Sequence, residues 1–195
     1  MNKAGTQRIE TDRLILRRFR LEDTEDMYAN WASDPEVARF LTWPTHSSVE
    51  VTKSLLADWI PRYEDGGYFN WVMEYKETGK AIGNISVVKL NENTKAADMG
   101  YCMSRAYWGQ GLMPEALNAV MDYLFDVVGL NRIAACHDAN NPKSGRVMEK
   151  AGMKREGILR AAGKNNLGIC DEVWYAMIRN DRKKMKNRFF VTEKQ

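Results

Sequence analysis

The stretch YWGQGLMPEAL, residues 107–117, places two glycines one residue apart, directly ahead of a proline and a glutamate. Pro114 suits the N1 position of a helix, where no backbone donor is lost, and the carboxylate of Glu115 favours the positive end of a helix dipole. Backbone N–H groups in a glycine-containing turn at a helix N-terminus form an anion site, and the anions held this way are most often phosphates. The alternative interpretation of these glycines is a tight strand-to-helix connection that binds no ligand.

Two better-known phosphate-binding motifs do not fit the glycines of this chain. A dinucleotide-binding fingerprint needs a third glycine, but Pro114 stands at that position. A Walker loop needs four residues between its glycines and then Lys-Ser or Lys-Thr, whereas GILRAAGKN has five residues between Gly157 and Gly163 and ends in Asn165. Neither class of nucleotide site is therefore predicted.

The elements before the glycine turn follow from hydrophobic periodicity. Apolar and charged residues alternate in DRLILRRFR, which indicates a first strand. A helix is predicted from about Glu22, where acidic residues crowd the first turn. SVEVTKSLLADWIPRYE is predicted as a second helix, which Ser48 can cap and which Pro61 kinks or ends early.

The middle of the chain changes to a period of two. YFNWVMEYK and AIGNISVV flank the ETGK turn and predict a hairpin, and AADMGYCM predicts a third strand that leads into the glycine turn. After that turn come a helix that ends at Gly129, a strand RIAACHD, a helix NPKSGRVMEKAG and a strand pair around MKREGILR and EVWYAMIR. This order predicts an α/β (α+β) fold in which helices flank one central sheet.

Composition is that of a single globular domain. The chain has 195 residues, of which 44% are hydrophobic, enough for one sizeable core. The formal charge of +3 falls short of a dedicated nucleic-acid binder. Neither an 18-residue apolar run nor a signal-peptide-like leader occurs, so we expect a cytoplasmic protein with no membrane partner. Cys102, Cys136 and Cys170 form no CxxC pair, which argues against a zinc site or a disulfide framework and favours buried thiols.

Several of these segments together resemble the acyl-CoA site of the GNAT acetyltransferase superfamily. They are DMGYCMSRAYWGQGLMPEAL and NRIAACHDANNPKSGRVMEKAGMKREG. The start TDRLILRRF and the last strand DEVWYAMI are similar to the branch that contains the ribosomal-protein-alanine N-acetyltransferases. The resemblance covers residues 8–180, which it identifies as one GNAT acetyltransferase domain. It implies a central mixed, mostly antiparallel sheet in which one strand splays away from its neighbour.

The resemblance also implies acetyl-CoA as the acyl donor, no metal, and a set of cofactor-binding residues. The backbone edge at Tyr101 and Met103 matches the strand that pairs with the pantetheine arm, as an added strand would. Asn141 matches the residue whose side chain bonds the pantetheine amides, and Ser144 matches a position near the thioester sulfur. The amides that match the pyrophosphate loop belong to Trp108, Gly109, Gln110, Gly111, Leu112 and Met113. Trp108 and Met113 depart from the residues usual at the first and last loop positions, and CoA binding is expected nonetheless.

Direct acetyl transfer needs a group that accepts the amine proton and a group that protonates the leaving thiolate. By analogy with the family, Ser144 is the predicted donor to the thiolate; the alternative is that it only caps its helix. Asp98 occupies a strand position where relatives often carry a carboxylate and is the predicted base. A solvated Asp98, with a water chain carrying the proton, is its alternative. His137 has a suitable intrinsic pKa, but no neighbour in sequence supplies a partner, so we expect a structural histidine.

The acceptor is predicted to be a primary amine, a protein or peptide N-terminal α-amine of the ribosomal-protein type. FLTWPTHSS resembles the variable acceptor-side loop of the family, and Trp43 within it is either a substrate contact or a residue buried under the loop. Three alternatives remain open: a small-molecule amine, which an acidic pocket would favour; a non-catalytic acyl-CoA-binding module; and a nucleic-acid-binding protein. The chain is expected to act as a monomer or homodimer.

The C-terminal residues 181–195 are predicted to be a basic tail outside the domain. Six basic residues crowd the segment that leads into it: Arg179, Arg182, Lys183, Lys184, Lys186 and Arg188. Such a cluster either attracts ribosomal RNA or an acidic protein, or is solvated without a partner. We expect a solvated, partly frayed terminus.

Overall fold

Eight strands form one sheet in the computed structural model, which describes residues 1–192 and the side chains of residues 1–185. Their order across the sheet is β1-β2-β3-β4-β5-β6-β8-β7, and only β5 and β6 are parallel neighbours. The predicted mixed, mostly antiparallel sheet is therefore confirmed. The strands are β1 Ile9–Glu10, β2 Leu14–Arg17, β3 Asn70–Tyr75, β4 Lys80–Asn91, β5 Ala96–Met103, β6 Arg132–Asp138, β7 Lys154–Asn165 and β8 Gly168–Ile178.

Strands β5 and β6 pair along only part of their length. Their parallel register ends at Met99 opposite Ala135, whereas β5 continues to Met103 and β6 to Asp138. Beyond the last pair, β5 stays bonded to β4 and β6 to β8 on their outer sides. The predicted splay is confirmed. It leaves a strand cleft between residues 100–103 of β5 and residues 136–138 of β6.

Helices cover both faces of the sheet. They are α1 Thr24–Met27, α2 Pro35–Ala38, α3 Val49–Trp59, α4 Leu112–Tyr123, α5 Pro142–Lys150 and α6 Arg179–Thr192. Two of them continue as π turns, α1 through Tyr28–Ala32 and α4 through Leu124–Val128. Short 3-10 turns lie at Leu21–Asp23, Ile60–Glu64 and Arg105–Tyr107. No described helix combines the length and apolarity that a membrane span requires.

The core divides into two clusters because successive strand side chains point to opposite faces. Adjacent residues Trp71 and Val72 are both fully buried, yet they belong to different clusters. The face of the sheet under α4, the α4 face, includes Leu14, Leu16, Trp71, Met99, Leu117 and Phe125. The face under α1 and α3, the α3 face, includes Phe19, Trp31, Leu56, Tyr63 and Val72.

Helix and strand limits differ from the predictions in a few places. Helix α4 begins at Leu112, so Pro114 is its third residue and not N1, although no backbone donor is lost there either. Ser48 occupies the N-cap position of α3 as predicted, but its side chain accepts no hydrogen bond from the helix backbone. Pro61 acts as predicted, because α3 ends at Trp59 and continues as a 3-10 turn. Strands β7 and β8 extend beyond their predicted segments into one long hairpin.

The three cysteines are free thiols, and only Cys102 is buried as predicted. Its Sγ lies 2.9 Å from Oδ1 of Asn84, and burial raises the pKa of this thiol to about 12. Cys136 and Cys170 are half-buried on the α3 face, so the prediction of three buried thiols is wrong for these two.

The predicted C-terminal tail starts inside helix α6. Arg182 is 9% exposed, and its guanidinium bonds the carboxylate of Asp122 at 2.8 and 2.9 Å and Oδ1 of Asn118 at 2.7 Å. The first turn of the tail therefore packs against α4. The side chains of Lys186 and Arg188 lie outside the described residues, and the domain limit at residue 180 stays a prediction.

Candidate active site

The glycine turn between β5 and α4 is left-handed at both glycines. Gly109 has φ 80° and Gly111 has φ 79°, and Gly111 is the residue that caps helix α4. Side chains with a Cβ rarely adopt this conformation, so the backbone explains why both positions are glycine. A Cβ at Gly109 would meet no atom within 4 Å, so the space above this residue is open.

Five consecutive backbone amides of this turn have no partner. Among the described residues, the N–H groups of residues 109–113 donate no hydrogen bond to any backbone or side-chain acceptor. Residue 114 is proline and has no N–H. The amides lie at the N-terminus of α4, where the helix dipole adds a partial positive charge. The turn therefore provides an anion cradle, defined by residues 109–113.

The β5 edge of the strand cleft offers backbone groups next to this cradle. The N–H of Ser104 donates to the carbonyl of Ile82 at 2.8 Å, so residues 104 and 102 bond to β4 in the alternating antiparallel pattern. The backbone groups of Tyr101 and Met103 consequently point into the cleft. Nε1 of Trp108 donates to the carbonyl of Met103 at 2.8 Å, which holds the start of the cradle against the end of β5.

Asn141 and Ser144 come from the start of α5, which directly follows β6. The side chain of Asn141 makes no hydrogen bond with any described residue, so its amide is available to a ligand. The hydroxyl of Tyr101 donates its one proton to the Ser144 carbonyl at 3.0 Å, so it accepts from Oγ of Ser144, which also lies 3.0 Å away. Because the Ser144 hydroxyl contacts β5 and not the helix start, helix capping does not account for it.

Burial keeps the Tyr101 hydroxyl protonated. It raises the pKa of this phenol well above its ordinary value, and the bond to Ser144 opposes the rise only in part. The hydroxyl proton of Tyr101 is therefore present at neutral pH for its bond to the Ser144 carbonyl. The sequence placed Tyr101 at the cleft through its backbone alone, and the side-chain pair is a finding of the structure.

Lys143 is a residue of the site that the sequence did not single out. Its Nζ lies 5.2 Å from the centroid of the Trp108 ring, a cation–π contact between α5 and the cradle. Trp108 is 37% exposed, so this contact forms part of the surface beside residues 109–113. The sequence signal was weak, a lysine directly after the Asn141–Pro142 helix start.

Asp98 lies on the α3 face, opposite the face that carries Tyr101 and Ser144. It pairs with Ala134 on β6, two residues before the cleft opens. Burial raises the pKa of the Asp98 carboxyl, the positive charges of Lys89 and Arg132 oppose the rise, and the carboxylate of Glu172 adds to it. Glu172 lies on β8, and sequence inspection missed it, because β8 and β5 become neighbours only through β6.

His137 packs between β6 and α5. Its Nδ1 lies 2.7 Å from the carbonyl of Asp138, and its ring lies 5.8 Å from that of Tyr175. A Cβ built on Gly145 of α5 would come within 2.6 Å of His137 Nε2. This position agrees with the predicted structural role and explains why α5 has a glycine next to Ser144.

Gly145→Ala is expected to destabilise the protein by about 1–3 kcal/mol, because the added methyl group must displace the His137 ring. Chemical denaturation of the variant measures this. Gly157→Ala on β7 is the matched control, since a Cβ there meets no atom within 4 Å, and we expect a change within about 0.5 kcal/mol. Equal stability of the two variants would contradict the packing described for His137.

Trp43 lies on a different part of the α3 face. It is half-buried against the α3-face cluster, and its ring lies 5.5 Å from that of His46. The side chain of Asn166, in the β7–β8 turn, donates to the carbonyl of Trp43 and to that of Ala38, both at 2.8 Å. These two hydrogen bonds thus join the segment around Trp43 to the β7–β8 turn.

No group of three or more His, Cys, Asp or Glu side chains among the described residues is arranged to hold a metal ion.

A parallel strand pair that opens beside a glycine cradle at a helix N-terminus is the arrangement of a GNAT acetyltransferase. The family described as Acetyltransferase (GNAT) domain matches residues 13–154. The uncharacterized N-acetyltransferase YoaA of Bacillus subtilis is 32% identical over 152 residues, 78% of this chain and 85% of that protein. The chain belongs to the GNAT acetyltransferase family and is an N-acetyltransferase.

Two further proteins are similar to this chain. The ribosomal-protein-serine acetyltransferase of Escherichia coli is 30% identical over 139 residues, 71% of this chain and 76% of that protein. The crystal structure of the ribosomal-protein-S5-alanine acetyltransferase of Vibrio fischeri has a TM-score of 0.79 at 23% identity, covering 90% of this chain and 98% of that one. The latter similarity shows the shared fold.

Proposed function

We propose that the protein transfers an acetyl group from acetyl-CoA directly to a primary amine, with protein or peptide N-terminal α-amines as the acceptor class. The observation that carries the proposal is the anion cradle, five amides at the positive end of α4 that have no acceptor among the described residues. A diphosphate is the part of acetyl-CoA that such a row of donors fits.

The strand cleft fits the remainder of acetyl-CoA. An extended arm that carries amide groups can pair with a free strand edge, and the backbone groups of Tyr101 and the N–H of Met103 provide one, since the Met103 carbonyl already accepts from Trp108. Asn141 adds a side-chain amide without a partner among the described residues at the opposite wall. When bound there, acetyl-CoA supplies an activated thioester, and the chain positions it and moves the protons.

Two proton-transfer groups lie on opposite faces of the sheet. Asp98 on the α3 face is the proposed acceptor of the amine proton, directly or through water. Ser144 on the α4 face is the proposed donor of a hydrogen bond or proton to the leaving sulfur, with the Tyr101 hydroxyl 3.0 Å behind it. In this proposal the amine adds to the thioester carbonyl and loses its proton to Asp98, and the tetrahedral intermediate then expels the thiolate, which takes a proton from Ser144.

The choice of acceptor class is based on proteins that are similar to this chain. The similar protein of Escherichia coli is a ribosomal-protein-serine acetyltransferase, which favours protein N-termini as acceptors for this chain. A small cationic amine is the second candidate, because Asp98 and Glu172 lie half-buried on the same face and neither forms a salt bridge among the described residues. Carboxylates of this kind attract a protonated amine of either class.

Acetyl-CoA and CoA at about one hundred times their dissociation constants should raise the thermal midpoint of the protein by roughly 5–10 °C. The reason is that only the folded chain holds the cradle and the cleft together. ATP serves as the control: it carries phosphates but no pantetheine arm, and we expect no comparable shift. Differential scanning fluorimetry measures all three. A shift with ATP alone would point to a nucleotide site and contradict the proposal.

The acceptor is tested with paired compounds. A peptide with a free N-terminus and the same peptide with a blocked N-terminus are incubated with acetyl-CoA and followed by mass spectrometry, beside a polyamine. A gain of one acetyl group on the free peptide alone supports an N-terminal acceptor. Acetylation of the polyamine alone would support the second candidate.

A further inference from the structure

The turn between β1 and β2 is hydrogen-bonded to the anion cradle and to the first turn of α4. Nε and Nη2 of Arg13 lie 2.8 and 2.7 Å from Oε2 of Glu115 in the first turn of α4. The Arg13 backbone N–H donates to Oε1 of Glu115 at 2.9 Å, and Oγ1 of Thr11 donates to the same oxygen at 2.6 Å. The remaining arm of the guanidinium, Nη1, donates to the carbonyl of Gln110 at 2.9 Å.

The bond to Gln110 fixes the direction of an amide in the cradle. The peptide bond between Gln110 and Gly111 is trans, so the N–H of Gly111 points opposite to the carbonyl of Gln110 across their shared peptide plane. Because Arg13 holds that carbonyl on the outer side, the N–H of Gly111 faces inward. A single residue thus orients a donor that it does not touch.

Arg13 also cancels a charge that would weaken an anion site. Glu115 lies in the first turn of α4, close to where an anion would bind, and it is ionised: burial raises the pKa of its carboxyl, but the bonds from Thr11 and Arg13 bring that pKa below its usual value. Without Arg13 this carboxylate would repel a diphosphate. With it, the pair is neutral, and its geometry is fixed because Nε and Nη2 of Arg13 hold one carboxylate oxygen while the Arg13 backbone N–H holds the other.

We propose that Arg13 is a positioning residue for the diphosphate of the acyl donor, acting through the carbonyl of Gln110 and the carboxylate of Glu115. This inference rests on the proposed use of acetyl-CoA. It assigns to the β1–β2 turn a part in donor affinity and none in the chemistry. The readout is therefore a change in donor binding that depends on the diphosphate.

Arg13→Gln is compared with wild type in titrations of two probes, acetyl-CoA and S-acetylpantetheine, the second of which lacks the diphosphate and is measured as a competitor. We expect the Kd for acetyl-CoA to rise about tenfold and the constant for S-acetylpantetheine to change less than about twofold. Arg13→Lys keeps a charge beside Glu115 but has no second arm for Gln110, so an intermediate rise is expected. Arg8→Gln is the control, because Arg8, directly before β1, pairs with Glu10 and makes no contact with Glu115 or Gln110 among the described interactions.

Two results would overturn the inference. An equal loss of affinity for both probes would show that Arg13→Gln disturbs the fold generally, and an unchanged Kd for acetyl-CoA would show that the cradle does not depend on Arg13. Should Arg13→Gln not fold, Arg13→Lys gives the same comparison, since its charge is retained. A wild-type protein that binds neither probe would overturn the proposed function and the inference with it, whereas wild-type binding without a variant effect overturns the inference alone.

Discussion

Changing Asp98 to Asn and Ser144 to Ala together is expected to lower kcat roughly 1,000-fold, while the Kd for acetyl-CoA stays within about threefold of wild type. Neither change removes a backbone donor of the cradle, so donor binding persists. Both changes remove a proposed proton-transfer group, one on each face of the sheet. Steady-state kinetics with the acceptor found in the peptide screen measure kcat, and titration calorimetry measures the Kd.

The pH dependence of the Asp98 variant gives an independent check. A base must be ionised to accept a proton, so the wild-type rate should fall as the pH falls through the pKa of Asp98. Burial places that pKa above the ordinary value of an aspartate, and the acid limb should therefore lie above the usual range of this carboxyl. In Asp98→Asn this limb is expected to disappear. An unchanged limb would assign the base to another group or to a water chain.

The direction of the stability change in Asp98→Asn follows from the same pKa. Because the pKa of Asp98 is raised in the folded protein, its protonated form favours folding, and that contribution is lost as the pH rises through the raised pKa. Asn carries no charge at any pH, so Asp98→Asn should be at least as stable as wild type at neutral pH. Low activity together with undiminished stability would separate a chemical role from a structural one.

Glu92→Gln is the matched control for these measurements. Glu92 is an exposed carboxylate in the β4–β5 turn, and its change to Gln removes the same charge as Asp98→Asn. We expect wild-type kcat from this variant. If the double variant also keeps wild-type kcat, Ser144 and Asp98 play no part in the chemistry; a wild-type protein that binds acetyl-CoA but acetylates no amine would instead favour the non-catalytic alternative.

Local features of the sequence were enough to predict the glycine turn and the helix that follows it. Glycines that need positive φ, and a proline that tolerates only the first turn of a helix, restrict the backbone by themselves. Gly109, Gly111 and Pro114 therefore defined the cradle before any packing was known. The helix start was nevertheless placed two residues late, because Leu112 and Met113 carry no start signal of their own.

The site features that could not be predicted from the sequence depend on contacts between residues that are distant in the chain. Arg13 and Glu115 are 102 residues apart in the chain, and neither residue type indicates the other. Glu172 reaches the neighbourhood of Asp98 only because β6 lies between β5 and β8. The strand splay was predicted through family resemblance alone, because the point where β5 stops pairing with β6 depends on contacts between two strands that are distant in the sequence.

Gly109→Val is expected to raise the Kd for acetyl-CoA roughly 30-fold. A branched side chain disfavours the left-handed backbone at φ 80°, so the turn relaxes and at least one amide leaves the position from which it would donate to a charged oxygen. A hydrogen bond to a charged group contributes about 1.5–3 kcal/mol, which sets the size of the effect. Titration calorimetry measures the Kd, and thermal unfolding measures the accompanying loss of stability.

Gly129→Val separates the loss of binding from the loss of stability. Gly129 has φ 87°, close to that of Gly109, but it ends the π turn at the far end of α4. The backbone penalty is therefore similar, about 1–2 kcal/mol, and a Cβ there also meets Arg179 and Met1 at 3.9 Å. We expect this variant to lose at least as much stability as Gly109→Val and to bind acetyl-CoA like wild type. If the two variants lose affinity equally, binding follows global stability and the cradle of residues 109–113 is not the donor site.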